Sequence, residues 1–162
     1  MRIPSLSPGK HNWTQSISAL TTSQDTSEMR SRILLVDDES SVRDSLYTIL
    51  ERGGYEVLAA SNGTDGLTVF RQSRRPIDLL VTDYSMPHMS GLELARECLR
   101  LYGELSVLYV SGSGPDEELQ AELQARKRGF LAKPFRGAEL LRKTRELLLS
   151  ESNPQLSPSH SS

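Results

Sequence analysis

Residues 32–38 read RILLVDD and residues 78–83 read DLLVTD. Each is a short apolar run with β-branched residues that ends on carboxylates. Three more runs of the same kind stand at 55–60 (YEVLAA), 105–110 (LSVLYV) and 129–132 (GFLA). Most are continuous rather than alternating, the pattern of parallel strands buried on both faces. Helical spacing fills the gaps. Val42, Leu46, Ile49 and Leu50 share a face behind the capping candidates Ser40 and Ser41. Leu92, Ala95, Leu99 and Tyr102 do so behind Ser90, and Leu140, Thr144, Leu147 and Leu148 do so after Pro134. Leu67 with Phe70, and Leu119 with Leu123, mark two weaker helices. Gly53-Gly54 ends the first helix and Gly103 the third.

The order is therefore βαβαβαβαβα. Right-handed crossovers predict an α/β fold: a doubly wound, five-stranded parallel sheet in the flavodoxin-like order 2-1-3-4-5, with helices on both faces. Such sheets place their working site beyond the carboxyl ends of the strands, where strand 1 meets strand 3.

Outward from this region the composition changes. Residues 1–30 are rich in Ser and Thr, have no apolar periodicity and lack the roughly 7–15-residue apolar stretch of a secretory signal. Residues 150–162 are similarly polar. Both are expected to be disordered tails, which leaves a domain at 31–149, about 119 residues, a usual size. Met29 precedes the first apolar run, so translation from Met29 and a genuine N-terminal extension are both open readings, separable by intact mass. With 19 basic and 21 acidic residues the formal net charge is −2, which gives no reason to expect bulk binding to nucleic acid or an anionic membrane. The longest apolar runs are about four residues, against roughly 20 for a membrane span. The single cysteine, Cys98, excludes an intramolecular disulfide and a cysteine-rich metal site, and reads as a packing group. Cysteine usage and the missing signal point to the cytoplasm.

The strand ends carry the chemistry. Strand 1 delivers Asp37, Asp38 and Glu39, strand 3 delivers Asp83, strand 4 Ser111 and strand 5 Lys133, followed by Pro134. Taken singly, an acidic pair after a strand is a helix cap or solvated loop, Lys-Pro is a surface turn, and Ser111 in a Gly-Ser-Gly-Pro setting is loop chemistry. Together they converge on one mouth. Two carboxylates about 4 Å apart repel by roughly 1 kcal/mol in water and about 4 kcal/mol at an effective dielectric of 20. Crowding three demands a raised pKa or a bound cation, and an all-oxygen site open to water suits magnesium. An ammonium and a hydroxyl at the same mouth fit an arriving phosphoryl group.

Residues 32–38, 83–91 (DYSMPHMSG), 110–112 (VSG) and 130–135 (FLAKPF) resemble the response-regulator receiver domain of two-component signalling. The likeness covers nearly all of 31–149, and Asp-x-x-Met-Pro-x-x-x-Gly together with Lys133-Pro134 is a specific combination. It implies that Asp83 is the phosphoacceptor and that Asp37, Asp38 and Asp83 hold Mg2+ with the backbone carbonyl of Ser85. It implies that Ser111 and Lys133 bind the phosphoryl group and that Ser111 and Phe130 form the switch. Phe130 lacks the hydroxyl of the tyrosine often found there, and an aromatic starting a strand also reads as plain core. Met86, Pro87 and Gly91 are expected to shape the loop, and His88 to be exposed.

The implied partners are a histidine kinase or phosphotransfer protein as donor and an output protein at the face of helix 4, strand 5 and helix 5. No direct contact with nucleic acid or membrane is implied. Such a chain is no enzyme beyond its own aspartyl phosphorylation and dephosphorylation. Only about thirteen residues follow 149, so a single-domain regulator is expected, with a phosphate relay or sink related to hybrid histidine kinases as the alternative. Ser85 and Ser113 are placed by analogy to tune hydrolysis. A haloacid-dehalogenase-type phosphatase also uses a strand-end Asp, magnesium and Lys. Its Asp-x-Asp motif is missing, and no room is left for a substrate cap. A flavin or nucleotide binder is opposed by three acids in the loop that would cradle phosphate.

Overall fold

The computed structural model describes residues 30–150. The expected tails and Met29 therefore lie almost wholly outside the described residues. Five strands alternate with five helices: β1 (Arg32–Val36), α1 (Ser40–Arg52), β2 (Glu56–Ala60), α2 (Gly63–Gln72), β3 (Leu79–Asp83), α3 (Gly91–Tyr102), β4 (Ser106–Ser111), α4 (Glu117–Glu122), β5 (Arg128–Ala132) and α5 (Gly137–Leu149). All pairings are parallel and the strand order is β2-β1-β3-β4-β5, as the sequence predicts.

The unbroken apolar run of β1 has a direct physical reading. Ile33 and Leu35 enter a core shared with Leu46 and Leu50 of α1 and Leu140 and Leu147 of α5. Leu34 and Val36 enter the opposite core, with Phe70 of α2, Leu94 and Cys98 of α3 and Leu119 of α4. All four β1 side chains are fully buried. At roughly 1.5–3 kcal/mol per buried aliphatic side chain, this one strand ties both helix layers to the sheet.

Two local expectations are corrected. Neither Ser40 nor Ser41 caps α1. The N-cap is Glu39, with no side-chain capping bond, because the Asp37 carboxylate accepts the Glu39 N–H at 2.9 Å and turns the chain into the helix one residue early. Tyr102 is not a core residue of α3. It is 58% exposed and lies edge-on to Phe70, with ring centroids 5.3 Å apart, while Leu94 and Cys98 take the buried positions. Elsewhere the signals hold. Ser90 caps α3 in a reciprocal box with Glu93, and Gly103, at φ 74°, terminates it. Cys98 is fully buried, which pushes its thiol up to about 12, as befits a packing group.

Candidate phosphoryl and metal site

The parallel register sets the site. Val36 pairs with Thr82, Asp83 with Val110, and Ser111 with Ala132, so the residues that close β1, β3, β4 and β5 emerge along one edge of the sheet. Asp37 is 1% exposed. A carboxylate that deep requires partners, and it has them. Its Oδ1 accepts the Glu39 N–H, and its Oδ2 accepts from the Lys133 ammonium at 3.3 Å. The Lys133 Nζ also lies 3.7 Å from Asp83 Oδ1. One cation from β5 thus bridges acids from β1 and β3. The Lys133 N–H donates to the Ser111 carbonyl at 2.8 Å, which anchors the start of the following turn, where the Lys133–Pro134 peptide is cis.

Asp38 is exposed and completes the acidic group. Carboxylate oxygens of Asp37, Asp38 and Asp83 all lie within 4.8 Å of one another. Burial pushes the Asp83 carboxyl up to about 6; Lys133 pulls it down, and the charges of Asp37 and Asp38 push it up again. This all-oxygen set, with its crowded negative charge and one open flank, fits a hard divalent cation such as Mg2+.

The raised value has a testable sign. Asp83 in the folded chain holds its proton to higher pH than in the unfolded chain. Its ionisation therefore removes stability as pH rises from about 4 to about 6. In chelator, Asp83→Asn should melt above the parent at pH 7.5, and the gap should close as pH falls to about 4. A gap independent of pH would show that charge is not its cause.

The loop after Asp83 is shaped by two devices. His88 adopts φ 68°, the left-handed region, and is exposed. Gly91 is needed for closeness rather than for φ: a Cβ there would collide with the Asp83 carbonyl oxygen and press on the Thr82 side chain at 3.0 Å. The Gly91 N–H donates to the Tyr84 carbonyl at 3.0 Å, which locks α3 against the turn that follows Asp83.

The remaining sequence-derived residues are placed as follows. Ser111 is buried, and its Oγ accepts the Ser113 N–H at 3.1 Å. Ser85 is exposed on the rim of a cleft of about 800 Å3 that Asp38, Tyr84, Met86 and Arg96 also line. Phe130 is half-buried against the α2–α4 core, beside Tyr109 in the ladder and two residues short of the strand ends. Asp37, Asp38, Asp83 and Lys133 are thus gathered tightly, while Phe130 stands back from them. The sequence reading missed Tyr84 and Asp116. The Tyr84 hydroxyl donates to the Asp116 carboxylate, 2.9 Å from Oδ1 and 2.8 Å from Oδ2. The two residues are 32 positions apart, and no motif spacing signals the contact.

The chain matches the family model of the response regulator receiver domain over residues 33–145, and it belongs to that family. A probable transcriptional regulatory protein of Picosynechococcus is 33% identical over 138 residues, which cover 82% of this chain and 55% of that protein. The response regulator MprA of Mycobacterium tuberculosis is 39% identical over 120 residues, 74% of this chain and 51% of that protein. The chain thus spans about half the length of these curated relatives. Among solved structures, a receiver domain protein of Clostridium thermocellum superposes with a TM-score of 0.68 at 30% identity, covering 75% of this chain and 97% of that one. The chemotaxis protein CheY4 of Vibrio cholerae gives 0.67 at 28%, over 74% and 99%. The receiver domain of the hybrid histidine kinase CckA gives 0.62 at 30%, over 73% and 99%. Among the described residues no helix is long and apolar enough to cross a membrane.

Proposed function

We propose that the chain accepts a phosphoryl group on the Asp83 carboxylate from a phosphohistidine donor and that the added charge alters partner binding. The observation that carries this is the Lys133 ammonium set between Asp37 and Asp83, at 3.3 and 3.7 Å, beside a third carboxylate within 4.8 Å. An Asp83 oxygen forms the new bond to phosphorus, the phosphorus–nitrogen bond of the donor breaks, and its electron pair stays on the imidazole. Such a transfer depends on positioning and charge compensation more than on covalent help.

The carboxylates of Asp37, Asp38 and Asp83, with the Ser85 carbonyl, are the ligands proposed for Mg2+. When bound, the metal supplies positive charge to the phosphoryl oxygens. Lys133 Nζ adds a compact charge from the sheet side, and the Ser111 hydroxyl is the neutral donor. A cleft of about 410 Å3 beside Lys133, with Val42, Leu46, Ile49, Pro134 and Phe135 in its wall, offers the donor protein an apolar foothold next to the acceptor.

Phosphorylation replaces a carboxylate charge with a group of roughly −1.5 to −2. Ser111 then turns toward it and Phe130 moves inward, which remodels the α4–β5–α5 face offered to an output protein. The chain turns over no substrate but its own acyl phosphate, and it acts without touching nucleic acid or membrane. The likeness to the CckA receiver favours, as a second reading, a relay or sink, which would hand its phosphoryl group back to a histidine rather than hold it for a partner. Incubation of the full chain with acetyl phosphate and magnesium should add one phosphoryl mass, abolished by chelation. An unchanged mass would overturn the proposal.

A further inference from the structure

Tyr84 directly follows the acceptor, and Asp116 closes the loop that begins at Ser111. Their hydrogen bond joins the β3–α3 turn to the β4–α4 turn without passing through the metal or phosphoryl position. Asp116 Oδ1 also accepts the Leu119 N–H at 2.9 Å, so one carboxylate caps α4 and holds the phenol. Partial burial and the Asp116 bond push the Tyr84 phenol up to about 12, which keeps it a donor at any physiological pH.

The intervening loop is Gly112-Ser113-Gly114-Pro115. A Cβ on either glycine would meet nothing within 4 Å, so no packing restrains the loop at those two positions. Two glycines make such a segment costly to order. It is held by the ladder at Ser111, by the Asp116 carboxylate and by the Gln120 side-chain amide, which donates to the Pro115 carbonyl at 2.9 Å. Between them, the Ser113 N–H occupies a lone pair of the Ser111 hydroxyl at 3.1 Å. That contact orients the hydroxyl and polarises its proton for donation, and it persists only while the loop keeps its shape.

We propose that the Tyr84–Asp116 hydrogen bond is a strut that holds the Ser111 hydroxyl in donating geometry for a phosphoryl group on Asp83. This rests on the phosphoryl-acceptor reading above. Tyr84 and Asp116 touch no reacting atom and are positioning residues.

Tyr84→Phe removes the oxygen and keeps the ring, with its edge-on contact to Tyr109. On the full chain, Mg2+ affinity is measured first by calorimetry, then beryllofluoride affinity at saturating Mg2+. Tyr84→Phe should leave Mg2+ binding within about twofold of the parent and weaken beryllofluoride binding about fivefold, the equivalent of one hydrogen bond worth about 1 kcal/mol. Asp116→Asn, whose amide oxygen still accepts from the phenol and from Leu119, should retain parental affinity. Asp116→Ala should lose as much as Tyr84→Phe, or more. Equal losses of Mg2+ and beryllofluoride affinity would mean general distortion and overturn the strut. Parental beryllofluoride affinity in Tyr84→Phe would overturn it too, with the acceptor reading intact. A parent chain that binds no beryllofluoride would overturn both.

Discussion

Asp83→Asn should take up no phosphoryl group from acetyl phosphate and magnesium under conditions in which the parent chain is expected to gain one. The neutral amide lacks the negative charge that makes a carboxylate oxygen nucleophilic, so the expected loss is complete rather than graded. It also withdraws one of the three acidic groups that lie within 4.8 Å of one another, and Mg2+ affinity should fall with it. The variant is expected to fold, because removal of a carboxylate that burial pushes up to about 6 relieves a cost of the folded state. Intact-mass spectrometry on matched samples is sufficient. An equal mass gain in the variant would place the acceptor on another side chain, and Asp38, exposed on the same rim, would be the next to replace.

The second large effect is on stability. Leu80 lies in β3, the middle strand of the sheet, fully buried, paired with Leu34 on one side and Val107 on the other. Leu80→Ala should cost about 2–5 kcal/mol through lost transfer energy and an unfilled cavity. Against a total of roughly 5–15 kcal/mol for a domain, that can consume half of the margin. Urea unfolding should show a lower midpoint with an unchanged slope. A loss below about 1 kcal/mol would mean that the α2–α4 core collapses around the site more readily than its packing suggests.

The sheet was legible because its central strands announce themselves twice, in unbroken apolar runs and in the polar residues that end them. Ile33 to Val36 could only be a strand covered on both faces, and Asp37, Asp83, Ser111 and Lys133 mark where four strands stop. Helix starts were harder. Ser40 and Ser41 are better caps by residue type than Glu39, yet the Asp37 carboxylate claimed the Glu39 amide and moved the helix start, a tertiary decision that propensity does not encode. Tyr102 fits a helical stripe by spacing, but it is the last residue of α3 and stays 58% exposed, edge-on to Phe70. Gly91 read as a turn residue, and its φ is ordinary; what requires it is the nearness of the Asp83 carbonyl, a fact of three dimensions. The Tyr84–Asp116 contact had no sequence signature, since phenol and carboxylate meet only after the β3–α3–β4 crossover.

The ammonium of Lys133 and the carboxylate of Asp37 stand 96 residues apart along the chain. They meet only when the first strand and the last are both in place. Loop closure grows slowly with length, so joining such distant segments adds only about 2 kcal/mol over a loop a tenth as long. In return, a nascent or nicked polypeptide lacking its last strand has no lysine to set beside the acids. On the phosphoryl-acceptor reading proposed above, competence for chemistry is withheld until synthesis and folding have passed residue 133, and a partly made chain is expected to take up no phosphoryl group.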